Sequence, residues 1–207
     1  MAAVLPFDEI NAAIGAKVEE ASIQYGNANK KKKTEDLCEF LLDLLIYAYT
    51  VGIRKVSEDL GVEVEDDLDE MYEIIFTRID GETFEDRVRK HVEADADGML
   101  RVLGESEAHR VSESAAWHGA NRASTDYNIG VGKLWQTMRD ERVRATHDYL
   151  QGNVVGLHEE FYTFDGDHAQ CPGGFAKAEN NVNCRCALQY VNLNNSGAVP
   201  VIGQGRP

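Results

Sequence analysis

Apolar residues recur at helical spacing through most of the first 125 residues, and this periodicity constrains the fold more than any other feature. In the first segment Ile10, Ile14, Val18 and Ile23 are about four residues apart, which places them on one side of a helix. Similar apolar faces follow in later segments, with glycine-containing breaks between them. We therefore predict that this first part of the chain is helical.

Capping residues indicate where some of these helices begin and end. Thr34 is the predicted N-cap of the second helix, and Gly61 is its predicted C-terminal stop. Thr83 and Asp86 have the spacing of a capping box at the start of the fourth helix. The basic run at Lys30–Lys33 is predicted to be a solvated loop ahead of the second helix.

The pattern changes after residue 125. The segment STDYNIGVGK is rich in turn-forming residues, and KLWQTM and CALQYVN have the short apolar pattern of strands. Between these two segments, Asp140 is predicted to N-cap a short helix, ERVRATHDYLQ. The chain is therefore predicted to be an α+β protein, with a helical N-terminal region followed by a small α+β module.

The negative charge is concentrated in the helical region. The whole chain has a formal charge of −15, and residues 1–130 contain 14 Lys and Arg against 28 Asp and Glu. Such an acidic surface argues against direct nucleic-acid binding, because phosphate contacts require clustered Lys and Arg. We also expect no membrane span and no signal peptide, because no apolar run of suitable length is present.

An ordered set of motifs occupies the second half of the chain. Its members are Arg110, Glu113, Trp135, Asp140, Arg142, Arg144, His147, Gly152, Pro172, Gly173, Asn183, Cys184, Arg185 and Cys186. In this order and spacing they resemble the C-terminal domain of the phage Mu F-like minor head proteins, also called SPP1-type or head morphogenesis proteins. The chain departs from that pattern at Gln151 and Gly174, where the family usually has acidic residues.

The resemblance implies an organisation and a role. It covers residues 105–191, so the chain is predicted to consist of a helical, acidic region at 1–104, a Mu F-like minor head domain at 105–191 and a flexible tail at 192–207. It implies a virion component that is made in the host cytoplasm and lies at the portal or in the capsid interior. The implied partners are the portal protein, the major capsid protein or both, and the implied role is in head assembly or DNA delivery.

Three of the four cysteines lie near the C-terminus and form a candidate metal site. Cys184 and Cys186, at i and i+2 of a predicted strand, would present both sulfurs on one face, with the intervening side chain on the other. His168 and Cys171 could complete a Cys3His site for structural zinc, and His147 is a rival for the fourth position. The alternatives are buried thiols in a reduced core and a disulfide.

Glu113, Arg142 and His147 form a second candidate set. One interpretation is a network of salt bridges and hydrogen bonds that fixes the short helix on the sheet. The other is the active site of a transferase, a peptidase or a toxin-processing enzyme, in which a cysteine beside His147 could be a nucleophile. A pocket shared by the three side chains would favour the enzyme. Pairing inside a packed interior would favour the non-enzymatic interpretation, which the resemblance also favours.

Overall fold

The computed structural model describes residues 7–26 and 28–194, and the predicted α+β fold is confirmed. The helices are α1 Phe7–Tyr25, α2 Lys30–Leu60, α3 Leu68–Ile75, α4 Phe84–Glu93, α5 Asp97–Asp126, α6 Ala145–Asp148 and α7 Ala178–Asn181. Within the described ranges, no helix has both the length and the apolarity needed to cross a bilayer.

The long helices α2 and α5 pack closely because their contact contains glycines and small side chains. A Cβ at Gly52 of α2 would overlap the Ser112 carbonyl oxygen and would lie 3.0 Å from Ala115 Cβ on α5. A Cβ at Gly104 of α5 would lie 3.0 Å from Ile14 on α1. The absence of these Cβ atoms lets the helix backbones approach each other around one buried apolar cluster.

The predicted helix ends are partly confirmed. Helix α2 begins earlier than predicted, because Asn29 caps it by accepting a hydrogen bond from the first turn. Thr34 therefore lies inside the helix, and its prediction as N-cap was wrong. Gly61 ends α2 with φ of 67°. The capping box of Thr83 and Asp86 is present at the start of α4.

The four lysines at 30–33 form the first turn of α2, so the predicted solvated loop was wrong. Lys33 is only 3% exposed, and its Nζ lies 2.8 Å from the Asp97 carboxylate. Lys30 Nζ lies 2.9 Å from the Asp95 carboxylate. Asp97 is the first residue of α5 and Asp95 lies in the turn before it, more than 60 residues along the chain from the lysines, so local sequence patterns do not reveal these pairs.

Five strands between residues 131 and 192 form two small sheets. The strands are β1 Val131–Gln136, β2 Val154–Gly156, β3 Phe161–Tyr162, β4 His168–Ala169 and β5 Ala187–Asn192. They pair as an antiparallel sheet of order β2-β1-β5 and a separate β3-β4 pair. Trp135 is fully buried at the centre of a second apolar cluster, against Phe161 and Phe175. The predicted tail begins within β5, and residues 195–207 lie outside the described residues.

The free edge of β5 is covered by two acidic side chains from the long helices. The Leu188 N–H donates to Glu113 of α5 at 3.1 Å, and the Tyr190 N–H donates to Asp59 of α2 at 3.0 Å. Lys55 of α2 donates to the second Glu113 oxygen at 3.0 Å. An edge strand exposes unpaired backbone groups unless something covers them. These contacts cover that edge and join the sheet to the helices.

Candidate metal centre

Cys184 and Cys186 lie in the extended segment that leads into β5. Both thiols are buried, and the side chain between them, Arg185, faces the opposite side. Arg185 donates to both carboxylate oxygens of Asp140, at 2.8 and 2.6 Å. The two cysteines precede β5, so their placement in a strand was wrong, but both sulfurs lie on the same side, beside His147, as alternation along an extended backbone predicts.

His147 meets the cysteine pair from helix α6. Its Nδ1 lies 3.5 Å from Cys184 Sγ and 3.3 Å from Cys186 Sγ. The ring packs edge-on against Trp135 at 5.6 Å and stacks on Phe175 at 5.4 Å, which fixes its orientation. The three candidate ligand atoms all lie within 4.8 Å of one another, so the fold brings a nitrogen and two sulfurs to one point.

The structure brings together only two of the four ligands of the predicted Cys3His set. His168 lies near the surface, where its Nδ1 is 2.9 Å from the Glu160 carboxylate and its ring stacks on Tyr162. Cys171 is buried outside the group, and burial raises the pKa of its thiol to about 12. His147, the rival ligand, takes the place beside the cysteines that was predicted for His168.

The two thiols of the pair differ in acidity. A hydrogen bond from Cys186 holds the pKa of Cys184 well below its usual value. The same contact, together with burial, raises the pKa of Cys186. The hydrogen bond between the two thiols thus favours the thiolate at Cys184 over Cys186, and the thiolate is the form of cysteine that binds metals and acts as a nucleophile.

A shallow pocket opens beside this group. His147 and Cys186 form part of its wall, and Arg142, Arg144 and Arg185 line the rest together with neutral side chains. Arg185 is paired with Asp140, so Arg142 and Arg144, whose guanidinium groups are permanently charged, supply the positive charge that favours anions at the mouth. The geometry thus combines a buried cysteine–imidazole group with an arginine-lined opening.

Helix α6 is shorter than the predicted helix. It begins at Ala145 with Arg144 as its cap residue, and Arg142 precedes the helix instead of lying on it. Asp140 does not cap α6, so that prediction was wrong. Its carboxylate accepts hydrogen bonds from the Arg185 side chain and from the Arg142 N–H.

Glu113, Arg142 and His147 do not converge on one pocket. Glu113 is fully buried, and its carboxylate oxygens accept hydrogen bonds from Lys55 and from the backbone of β5. Arg142 and His147 line the shallow pocket, whereas Glu113 is absent from its wall. Arg110 turns away from Glu113 to pair with the glutamate one turn earlier on α5, at 2.9 Å. Glu113 thus joins helices and sheet.

The remaining motif residues shape the backbone around the candidate centre. Gly152, Gly173 and Asn183 have φ of 80°, 85° and 56°, in the left-handed region that favours glycine and asparagine. A Cβ at Gly173 would lie 3.3 Å from Arg110 Cα, so this loop packs directly against α5. The turn at Asn183 immediately precedes the cysteine pair.

The buried polar groups of this module that were not predicted from the sequence include Asp167 and Lys133. Asp167 is 4% exposed and accepts hydrogen bonds from the backbone N–H groups of 168, 176 and 177 and from the Asn180 side chain. Lys133 is fully buried on β1, where its Nζ donates to the backbone of Glu159 and to the backbone and side chain of Gln170 at 2.7–2.9 Å. A lysine within the apolar strand segment VGKLWQ was the available signal.

The buried Lys133 should make stability depend on pH. Burial lowers its pKa from 10.5 to about 8, so the unfolded chain binds more protons between these two pH values. Stability relative to Lys133→Met should therefore rise from pH 8 to pH 10.5, by up to about 3 kcal/mol. Urea unfolding of both proteins across this range measures the effect, and a constant difference between them would contradict it.

Comparisons with known proteins identify the second part of the chain. The family described as Phage Mu protein F like protein matches residues 75–189, more than half of the sequence. Minor head protein GP7 of Bacillus phage SPP1 is 31% identical over 120 residues, which cover 58% of this chain and 37% of that protein. No solved structure matches the chain.

A second relative shares a shorter segment. The NAD(+)--arginine ADP-ribosyltransferase EFV of Enterococcus faecalis (strain ATCC 700802 / V583) is 33% identical over 99 residues, which cover 48% of this chain and 20% of that protein. Both alignments thus span well under two thirds of the relative's length. The family match includes the cysteine pair, His147 and Glu113. The chain belongs to the family of phage Mu F-like minor head proteins.

Proposed function

We propose that the chain is a structural component of the phage head that associates with the portal or the capsid interior and acts in head assembly or DNA delivery. The observation that carries this proposal is the alignment to a minor head protein over 58% of the chain. The head is then the place of action, and the portal protein and the major capsid protein are the proposed partners.

The distribution of charge supports a role that depends on protein contacts. The acidic region carries most of the formal charge of −15, and several of its acids are exposed around residues 63–69. Like charge repels the phosphate backbone of packaged DNA and favours basic protein surfaces. We therefore expect the helical part to contact head proteins and to make no direct contact with DNA.

The enzymatic alternative receives less support from the geometry. It required Glu113, Arg142 and His147 to act together, and Glu113 is instead buried between Lys55 and β5. The similarity to an ADP-ribosyltransferase extends over only 20% of that protein. These three residues therefore share no site, and the proposed assembly role rests on the alignment to a minor head protein.

Co-expression with the portal and major capsid proteins of the same phage tests the proposal. The chain should sediment with assembled heads or portal rings in a density gradient. A parallel preparation without the portal protein separates the two partners, because a portal-bound chain is then lost from the heads whereas a capsid-bound chain stays. A chain that remains at the top of the gradient in both preparations would contradict the proposal.

A further inference from the structure

We propose that His147, Cys184 and Cys186 bind a zinc ion as three protein ligands, with the fourth coordination position open to the arginine-lined pocket. This site goes beyond the assembly role and does not depend on it. The proposed ligand is a thiophilic divalent cation, because one imidazole and two thiolates form a set that zinc binds readily.

The distances in the group match those of a tetrahedral zinc site. Zinc binds imidazole nitrogen at about 2.0–2.1 Å and thiolate sulfur at about 2.3 Å, which puts nitrogen and sulfur about 3.5 Å apart at tetrahedral angles. His147 Nδ1 lies 3.5 and 3.3 Å from the two sulfurs. The two nitrogen–sulfur distances therefore need shifts of a few tenths of an ångström or less to accommodate a zinc ion.

The group is poorly explained as ordinary core packing. His147 is 1% exposed, and its Nε2 has no hydrogen-bond partner among the described residues. An imidazole buried with an unsatisfied nitrogen is costly unless another strong interaction offsets the cost. Coordination of zinc through Nδ1, which already faces both sulfurs, would be such an interaction, and Nε2 would stay unpaired with or without the metal.

The metal would join two segments that have little local stability. Helix α6 has only four residues, too few to persist without tertiary contacts. The cysteines lie in an extended segment outside the regular strand. A shared ion would fix the helix to the start of β5, so that part of the binding free energy would stabilise the fold.

The fourth position distinguishes this site from a closed structural site. Structural zinc sites have four protein ligands, whereas sites with three leave one position for water or another ligand. His147 and Cys186 border the pocket that Arg142, Arg144 and Arg185 also line. The positive charge of the arginines favours hydroxide or another small anion at that position.

Zinc content measured on the full chain, purified under reducing conditions without added metal, tests the ligand set. We expect one zinc per chain in the wild type, and its loss in His147→Asn and Cys186→Ser. His168→Ala and Cys171→Ser are the matched controls, because these residues lie outside the group, and both should keep the metal. Loss of zinc in either control, or its retention in both ligand variants, would overturn the proposal.

A titration of the wild type makes the test independent of how the variants fold. Chelator-stripped protein should take up one zinc and show a higher unfolding temperature, because a ligand that binds only the folded state stabilises it. Any folded ligand variant should bind zinc at least about 100-fold more weakly, since even outer-shell partners are worth about 10–100-fold. Stripped wild type that stays folded and binds no zinc would overturn the proposal.

Cobalt substitution tests whether the fourth coordination position is open. Cobalt bound to the stripped wild type should show thiolate charge-transfer absorption, and azide should alter its d–d bands by entering the fourth position. A spectrum that azide leaves unchanged would contradict the proposal that the fourth position is open.

Alkylation of Cys184 tests whether its thiolate binds the metal. Zinc should protect Cys184 from iodoacetamide, whereas alkylation at the same rate with and without zinc would overturn thiolate coordination.

Discussion

Glu113→Ala is expected to lower the free energy of unfolding by about 3–5 kcal/mol, because it leaves the Lys55 charge without its partner in a largely buried position. The same change removes the acceptor for the Leu188 N–H on the free edge of β5. The effect should therefore appear in both parts of the fold. Urea unfolding followed by far-UV circular dichroism and by tryptophan fluorescence measures it.

Two further variants separate the ion pair from the hydrogen bond. Glu113→Gln keeps an oxygen that can accept from the Leu188 N–H, so it should cost about 1–3 kcal/mol. In Lys55→Met/Glu113→Ala no charge is stranded, so the double variant should lose less stability than the sum of the two single variants. Strictly additive losses would show that Lys55 and Glu113 are not energetically coupled, contrary to the geometry.

Gly52→Ala is expected to be the most damaging conservative substitution in the helical region. The added Cβ would overlap the Ser112 carbonyl oxygen and would lie 3.0 Å from Ala115 Cβ. Because that oxygen belongs to the backbone of α5, a rotamer change cannot relieve the overlap, and the two helices must separate. Overpacking of a close-packed interior costs about 1–3 kcal/mol, and a backbone overlap should reach or exceed that upper value.

Gly15→Ala is the matched control for this substitution. Gly15 also lies inside a helix, and its added Cβ would meet only the end of the Arg101 side chain, at 3.7 Å. Alanine should stabilise that helix by about 0.5–1 kcal/mol, because glycine loses more conformational entropy on folding. Thermal unfolding of both variants compares the two effects. Equal destabilisation by both would show that α2 and α5 are not held in close contact.

The sequence predicted those parts of the fold that depend on local interactions. The stop at Gly61 and the capping box at Thr83 each depend on residues within one helical turn. The start of α2 was misplaced because Asn29 caps the helix in place of Thr34, and because Lys30 and Lys33 pair with Asp95 and Asp97, far along the chain. Such long-range pairs leave no periodic signal in the sequence.

In the candidate metal site, too, the features that depend on neighbouring residues were predictable and the long-range contacts were not. The shared face of Cys184 and Cys186 was predictable, because alternation along an extended backbone depends only on neighbouring residues. The choice between His147 and His168 depended on how the loops fold over the sheet, which spacing does not determine. Likewise, Glu113 was identified from its motif, but its partner Lys55 lies 58 residues away on another helix. The contacts of Glu113 with Lys55 and with the Leu188 N–H, which join the helices to the sheet, were therefore visible only in the structure.

The presence of the chain in purified virions tests the central claim most directly. Quantitative mass spectrometry of gradient-purified particles of the phage that encodes it would give its copy number relative to the portal protein. A head component should be present in a fixed ratio to the portal protein in every particle preparation. A chain that is abundant in the infected-cell lysate but absent from purified particles would contradict the assignment to the phage head.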